Sequence, residues 1–479
     1  MATISEALAD LATQPVGAAD VARARRMETY ALDTLAVTLG GTIAPSSAAV
    51  ARTILSACGK PEATVLGAGR VTSAWDAALA NGAFAHALEL DDDHRIAVLH
   101  PGAVVVPAAL AAAEAANATG LTFLRALLIG YEVACRLGEV FRGSQFYHGV
   151  HPTALCGVFG AATAAGVAIG LDRDALVRAM GIAGTQASGL TEWRADGSWI
   201  KRLHPGRAAQ SGVLSARLAR EGFTGPATIF EGDNGFFNAF SYGEKIDPRC
   251  MTRNLGVDYR ALGTAIKPYP CCRFEHGAID LAIEAKESGI AAADVSGVAI
   301  RIYRTDVLSY HREPKNPVDA QFNVPYGVAV ALLRGKVGLA DFTDSAIRDE
   351  EVLAVSRRID VVEDDEYTAR YPGEYWVELK LGLRDGSERK FVSECPSGDP
   401  EAPQYRADPG RLQAEVERKS SSLLAECGFG DRAEVLRRCV AGLVDAPNLD
   451  GLCAVLGAPA ASAAGAESGP IKPGRRQPG

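Results

Sequence analysis

The 479-residue sequence predicts a mainly α-helical fold in two parts, a large all-helical domain and a smaller α+β, lid-like domain inserted before its final helices. Three observations predict it. Residues 1 to about 240 are rich in Ala, Leu and Val, with apolar residues recurring at three and four and Gly or Pro in the gaps. Near residue 265 the pattern changes to alternation with β-branched residues. Beyond about residue 410 the helical pattern returns.

In order, the periodicity predicts helices over 18–41, 72–92, 104–118, 122–141, 151–170, 172–186 and 206–222. The abundant Ala keeps side chains small and lets helices approach closely. No self-similar unit of fixed length recurs, so a repeat array is not expected. Segment 295–304 reads as a strand, and 374–383 and 388–393 as two more joined through Asp385-Gly386, a hairpin turn signal. Between them, 325–335 and 339–362 read as helix. Segments 411–427 and 432–445 are helical again, and 457–479, rich in Ala, Gly, Pro and Ser, reads as a disordered tail. The expected division is residues 1–265 with 400–456 as the helical domain, and 266–399 as the α+β domain.

Composition excludes several classes. With 48% hydrophobic residues the chain is globular. Lys and Arg number 49 against 58 Asp and Glu, a net charge of −9, which gives no electrostatic footprint for nucleic acid or an acidic membrane. A local basic pocket for an anion remains compatible with that balance. Met1 to Thr13 carries Glu6 and Asp10 with no basic cluster before an apolar run, unlike a secretory signal. The apolar stretch Ala103 to Ala113 is too short to span a bilayer, which takes about 20 residues. The expectation is a cytoplasmic protein. Its ten cysteines include no CxxC pair, and adjacent Cys271 and Cys272 suit neither a disulfide framework nor tetrahedral zinc.

Histidines gather where Gly and Pro break the chain: His86, His94 and His100, then His148 and His151, with His204 and His276 in similar contexts. Asp91, Asp92 and Asp93 follow the 72–92 helical pattern, where like charges oppose the macrodipole. Three readings stand: carboxylates joining His94 and His100 around a divalent ion, a carboxylate orienting a catalytic histidine, or a solvated acidic loop. Pro152 suits a first helical position, which leaves His151 at the cap, beside free N–H groups that favour an anion. Lys201, Arg202, His204 and Arg207 place four potential cations ahead of the 206–222 helix, flanked by Trp199, Leu203 and Pro205. Lys267, Arg273 and His276 add more in a segment stiffened by Pro268 and Pro270, and Tyr326 falls on the first turn of a helix. No P-loop, dinucleotide fingerprint, HExxH or GxSxG motif occurs, so ATP, NAD and serine-hydrolase chemistry lose ground.

Together these segments resemble the MmgE/PrpD family over residues 5 to 450. The resemblance rests on five motifs in order: Leu90-Asp91-Asp92 through His100-Pro101, His151-Pro152-Thr153, Lys201 through Ala209, Ile266 through Cys271 with His276, and Gln321-Phe322 through Tyr326. It implies a homodimer with its active site between the domains, no metal and no organic cofactor, and a small di- or tricarboxylate substrate. The family's activities are 2-methylcitrate dehydration, cis-aconitate decarboxylation and iminodisuccinate epimerisation. By the resemblance, His100, His151, Lys201, Lys267 and Tyr326 are catalytic. Asp91, Asp92, His204, Arg207, Arg273 and His276 bind substrate. Asp93-His94 departs from the family, whose members often carry Thr and an aromatic there. The residues fit such chemistry independently: cations for carboxylates, and a histidine pair to move a proton α to one of them.

Overall fold

The computed structural model describes residues 2–304 and 307–460. Its helical part is built round Pro152–Ala168, a helix apolar on every face and buried along almost its whole length. Gly102–Ala115, Gly120–Phe141 and Ile200–Arg220 pack against it. Small residues permit this closeness: a Cβ at Gly160 would stand 2.6 Å from the Gly130 carbonyl oxygen. The chain returns at Pro409–Glu426 to lie on Ala18–Gly41, and Asp450–Gly457 closes over a short hairpin, Ala63–Val65 with Arg70–Thr72.

The second part is a four-stranded mixed sheet with helices His276–Glu287 and Val324–Arg334 on it. Ile359–Glu363 runs parallel to Val295–Ile302, which pairs antiparallel with Val377–Leu383, itself antiparallel to Glu388–Ser393. A register shift between Val295 and Gly297 lets Val295, Val298, Ile300 and Ile302 all face the core. Two apolar cores result, one drawn from residues before 267 and after 415, the other centred on residues 271–381. Val98, Phe146 and Trp193 reach from the helical part into the second core.

The fold class matches the sequence reading; several boundaries do not. The helix expected over 72–92 ends at Ala85, and that expected from 206 begins at Ile200 and carries Pro205 inside it. The stretch 339–362 is not one helix but two 3₁₀ turns, the helix Glu350–Ser356 and the strand Ile359–Glu363. That strand is half exposed and flanked by charge; its pairing with Val295–Ile302, not its own pattern, makes it a strand. Helices Ile4–Thr13, Pro45–Ser56 and His276–Glu287 were not anticipated. The tail expected from 457 lies, from residue 461 onward, outside the described residues. Among the described residues no single helix is long and apolar enough to cross a membrane.

Ala74–Ala85 and Ile200–Arg220 cross at Gly82 and Gly206, where a Cβ on Gly206 would stand 2.2 Å from the Leu79 carbonyl oxygen. The crossing sets His86, at the end of one helix, against Lys201 and His204 on the other. Gly206→Ala is expected to cost about 1–3 kcal/mol or more, measured as a fall in the urea midpoint. Gly451→Ala, with nothing within 4 Å, should stabilise by less than about 1 kcal/mol.

Candidate active site

The loop from His86 to Pro101 is the centre of the site. It holds its shape through a left-handed residue at Glu89 (φ 54°), a turn closed by His94 and Leu99, and a two-way backbone bridge between Asp93 and Ala265. Lys419, on the returning helix, donates to the Leu90 carbonyl at 2.8 Å and to Asp33 at 2.6 Å. Asp92 seats the next helix: its carboxylate accepts from the Gly102 N–H at 2.9 Å and the Tyr131 hydroxyl at 2.8 Å. The aspartate run therefore opens a helix, where negative charge is favoured, and does not close one.

The same loop fixes the imidazoles. His100 Nδ1 lies 2.7 Å from the Asp92 carbonyl oxygen, which can only accept, so Nδ1 carries the proton and Nε2 is the nitrogen left free. His86 Nδ1 donates to Asp91 at 2.7 Å, and its Nε2 has no partner. The His86 ring lies 5.0 Å from that of His100 and 5.6 Å from that of His151. His151 caps Pro152–Ala168 with Pro152 at the first position, as expected, and its Nδ1 meets His204 Nδ1 at 3.2 Å. The four imidazoles thus form a continuous series. His94 stands apart: its Nδ1 accepts from the Ala97 N–H, and its Nε2 donates to the Arg260 carbonyl.

Two lysines from distant parts of the chain meet Glu89. Lys201 forms a short ion pair with it, and Lys267 donates to the Glu89 carbonyl at 3.2 Å with its carboxylate 3.6 Å away. Lys201 also lies over the rings of Phe322 at 5.2 Å and Trp193 at 5.7 Å, a cation–π seat. Arg273 is held by the Ser397 carbonyl at 2.6 Å, the Pro396 carbonyl at 3.2 Å, and His276, whose Nδ1 accepts from it at 3.2 Å.

These groups surround an enclosed cavity walled by Glu89, Asp93, His100, His151, Lys201, Lys267, Cys272 and Arg273, with Val98, Phe146, Phe274, Val307 and Phe322 as its apolar side. The wall draws residues from both parts of the chain, and its apolar members belong to the second core. Its free volume of about 30 Å³ holds one or two waters. Val307 and Phe322 also bound an outer chamber of about 590 Å³.

Burial governs the protonation states. It pushes the His100 and His151 imidazoles well below their usual range, helped by Lys267 at the first and by His204 and Lys201 at the second. Both are neutral at pH 7 and able to accept a proton. Burial opposes ionisation of Glu89 and Asp91 as well, but Lys201 and Lys267 at Glu89, and His86 and His100 at Asp91, hold both carboxyls well below the normal range. Burial and the Lys267 charge lower Lys201, whereas Glu89 and Asp91 outweigh burial at Lys267 and raise it.

Of the residues singled out from sequence, His100, His151, Lys201, Lys267 and Arg273 line the cavity. Asp91, Asp92, His204 and His276 lie behind that wall and hold its members. Tyr326 and Arg207 are not brought to it. Tyr326 is the third residue of its helix, faces the second core and donates to the Asp341 carbonyl at 2.5 Å. Arg207 is exposed and bonds Gln210, because the helix begins at Ile200 and residue 207 lies about 120° round it from Lys201. Glu89, Asp93, His86 and Phe322 were missed as site residues. Glu89 lies just before the Leu90–Pro101 motif, and only its left-handed backbone turns it between the lysines. Among the described residues no group of three His, Cys, Asp or Glu side chains converges as a metal site would, and His94 faces the Arg260 carbonyl.

A two-domain helical scaffold with a cation- and imidazole-lined cavity between its cores is the class defined by these features. The chain belongs to the MmgE/PrpD family: the family's N-terminal domain matches residues 3–249 and its C-terminal domain residues 269–440. It is similar to the cis-aconitate decarboxylase-like protein oryM of Aspergillus oryzae, 27% identical over 457 residues, 90% of this chain and 92% of that protein. It is also similar to the cis-aconitate decarboxylase of Aspergillus terreus, 28% identical over 358 residues, 70% of this chain and 73% of that one. The 2-methylcitrate dehydratase of Cupriavidus necator is 28% identical over 218 residues, 42% of this chain and 43% of that protein.

Two predictions follow from the geometry. Nitrogen-15 NMR at pH 7 should report His100 as the Nδ1–H tautomer and His94 as the Nε2–H tautomer. Burial lowers His94 to about 4, so it stays neutral until the pH falls near that value; a cationic His94 signal at pH 6 would contradict this. Glu89→Gln strands two buried ammonium groups and is expected to cost about 3–5 kcal/mol in chemical denaturation.

Proposed function

We propose that the protein is a lyase that removes a proton α to a carboxylate of a small polycarboxylate, without a cofactor. The observation that carries this reading is the enclosure, in one cavity, of two neutral imidazoles with Lys201, Lys267 and Arg273. The similarity to decarboxylases and a dehydratase supports an enzyme of this type.

In this mechanism the ammonium and guanidinium groups hold the substrate carboxylates. His100 Nε2 takes the α-proton, and the C–H electron pair moves into the adjacent carboxylate as an enediolate. Lys267 and its neighbours stabilise that charge in a cavity that excludes most water. Collapse of the enediolate expels a β-hydroxyl, which leaves as water with the proton that His100 has taken, and gives an alkene, while His151 on the same wall orients that hydroxyl. Where a carboxylate leaves as CO₂ instead, no α-proton is removed, and the electron pair left on carbon is quenched by a proton that a histidine takes up from water. Asp91, ionised behind His86 and 3.9 Å from His100 Nδ1, stabilises whichever imidazole has become cationic.

Proton NMR in D₂O with methylcitrate, citrate, cis-aconitate and iminodisuccinate, each separately, tests this. New vinyl resonances are expected, with CO₂ release separating decarboxylation from dehydration. Deuterium incorporation without any new alkene would make the protein an epimerase, and no change with any acid would sink the reading. On the substrate found, His151→Ala should lower kcat by about 10²–10⁴-fold while acid binding persists.

A further inference from the structure

Asp93 is the one carboxylate of the 91–93 run that lines the cavity. Asp93 is 3% exposed, and its Oδ2 has no hydrogen-bond partner. Its Oδ1 lies 3.7 Å from His100 Nδ1, whose proton is already committed to the Asp92 carbonyl. The backbone cannot relieve this, being bridged in both directions to Ala265 at 2.9 and 2.7 Å. A buried acceptor held without a donor calls for a reason, and the mechanism above makes no use of it.

The groups acting on Asp93 come from every segment packed round it. Arg273 and Lys267 are the cations, Asp91 and Asp399 the anions; the Tyr371 and Tyr375 hydroxyls and His100 complete the set. Asp399 is itself bound by Arg95 at 3.0 Å. Burial outweighs the two cations and raises the Asp93 carboxyl to about 6, so above that pH it is an anion facing the substrate space. The charged wall then holds three cations, Lys201, Lys267 and Arg273, against Glu89 and Asp93. The wall then carries a net +1, less than the charge of a dianion, and a third carboxylate meets a like charge at close range.

We propose that Asp93 determines the substrate class of this site, accepting a hydroxyl or amino group carried by a dicarboxylate and disfavouring a third carboxylate at that wall. The proposal rests on the reading of the cavity as a polycarboxylate site and narrows it. Asp93 is a specificity-determining residue in this scheme, with no share in bond-making or bond-breaking.

Calorimetric titration at pH 7.5 with malate, succinate and cis-aconitate tests it on the wild type, Asp93→Thr and Asp93→Asn, each checked for an unchanged melting temperature. The wild type should bind malate about tenfold tighter than succinate, and cis-aconitate more weakly than malate by at least the same factor. Asp93→Asn keeps an acceptor but loses the charge, so it should preserve the preference for malate over succinate and relieve the penalty on cis-aconitate. Asp93→Thr should also relieve that penalty. Lowering the pH through about 6 should strengthen cis-aconitate binding more in the wild type than in Asp93→Thr, because only the wild type gains a proton on this carboxyl. Equal or tighter cis-aconitate binding by the wild type, or preferences that neither variant moves, would overturn the role of Asp93 while leaving the carboxylate site standing. Failure of all three acids to bind any of the proteins would overturn the polycarboxylate reading itself, and this proposal with it.

Discussion

Burying two lysines at one point is the constraint on which the rest of the site depends. An ammonium group out of water is tolerated only with a counter-charge at hand, and Glu89 supplies it to Lys201 and Lys267 together. The three residues belong to separate stretches: a loop after one helix, the first turn of another, and the rigid segment before the second domain. One carboxylate therefore fixes the relative placement of all three. The left-handed backbone at Glu89 is the local cost of that arrangement.

Above this ion triad the imidazoles are organised by opposite means. His100 and His151 are kept neutral by burial, and the tautomers of His100 and His86 are set by groups that can only accept. The Asp92 carbonyl leaves His100 with a free Nε2, and Asp91 takes the proton of His86. Asp92 does this while seating the Gly102–Ala115 helix, where an added Cβ at Gly102 would stand 2.6 Å from its carboxylate oxygen. Helix packing and proton chemistry are thus linked through one residue. Residues from both parts of the chain wall the cavity, and Phe322 and Val307 stand between it and the outer chamber.

Much of the fold was legible because its signals are local. The Ala-rich helices announce themselves by period, His151-Pro152 by capping chemistry, and Asp385-Gly386 by turn preference. Errors arose where a residue's local preference lost to its surroundings. The periodic pattern starts a helix at 206, yet the helix begins at Ile200 and presses Gly206 against Leu79, which places Lys201 on the cavity wall and Arg207 away from it. Strand Ile359–Glu363 reads as helix because its pairing partner lies some sixty residues earlier. Tyr326 carries the right chemistry in a matching motif, but the first turn of its helix faces the second core.

The sequence by itself determined the fold class, the family and the stock of chemistry: histidines beside Gly and Pro, lysines in two separated basic segments, and carboxylates between them. Tertiary structure alone decided which of these meet. Glu89 and Asp93 are unremarkable members of an acidic run until a left-handed turn places one between two lysines and a bridge to Ala265 holds the other on the cavity wall. The reason is physical. Composition and periodicity report what a residue prefers in its own neighbourhood, whereas the charge of a buried group such as Glu89 depends on Lys201 and Lys267, more than a hundred residues away.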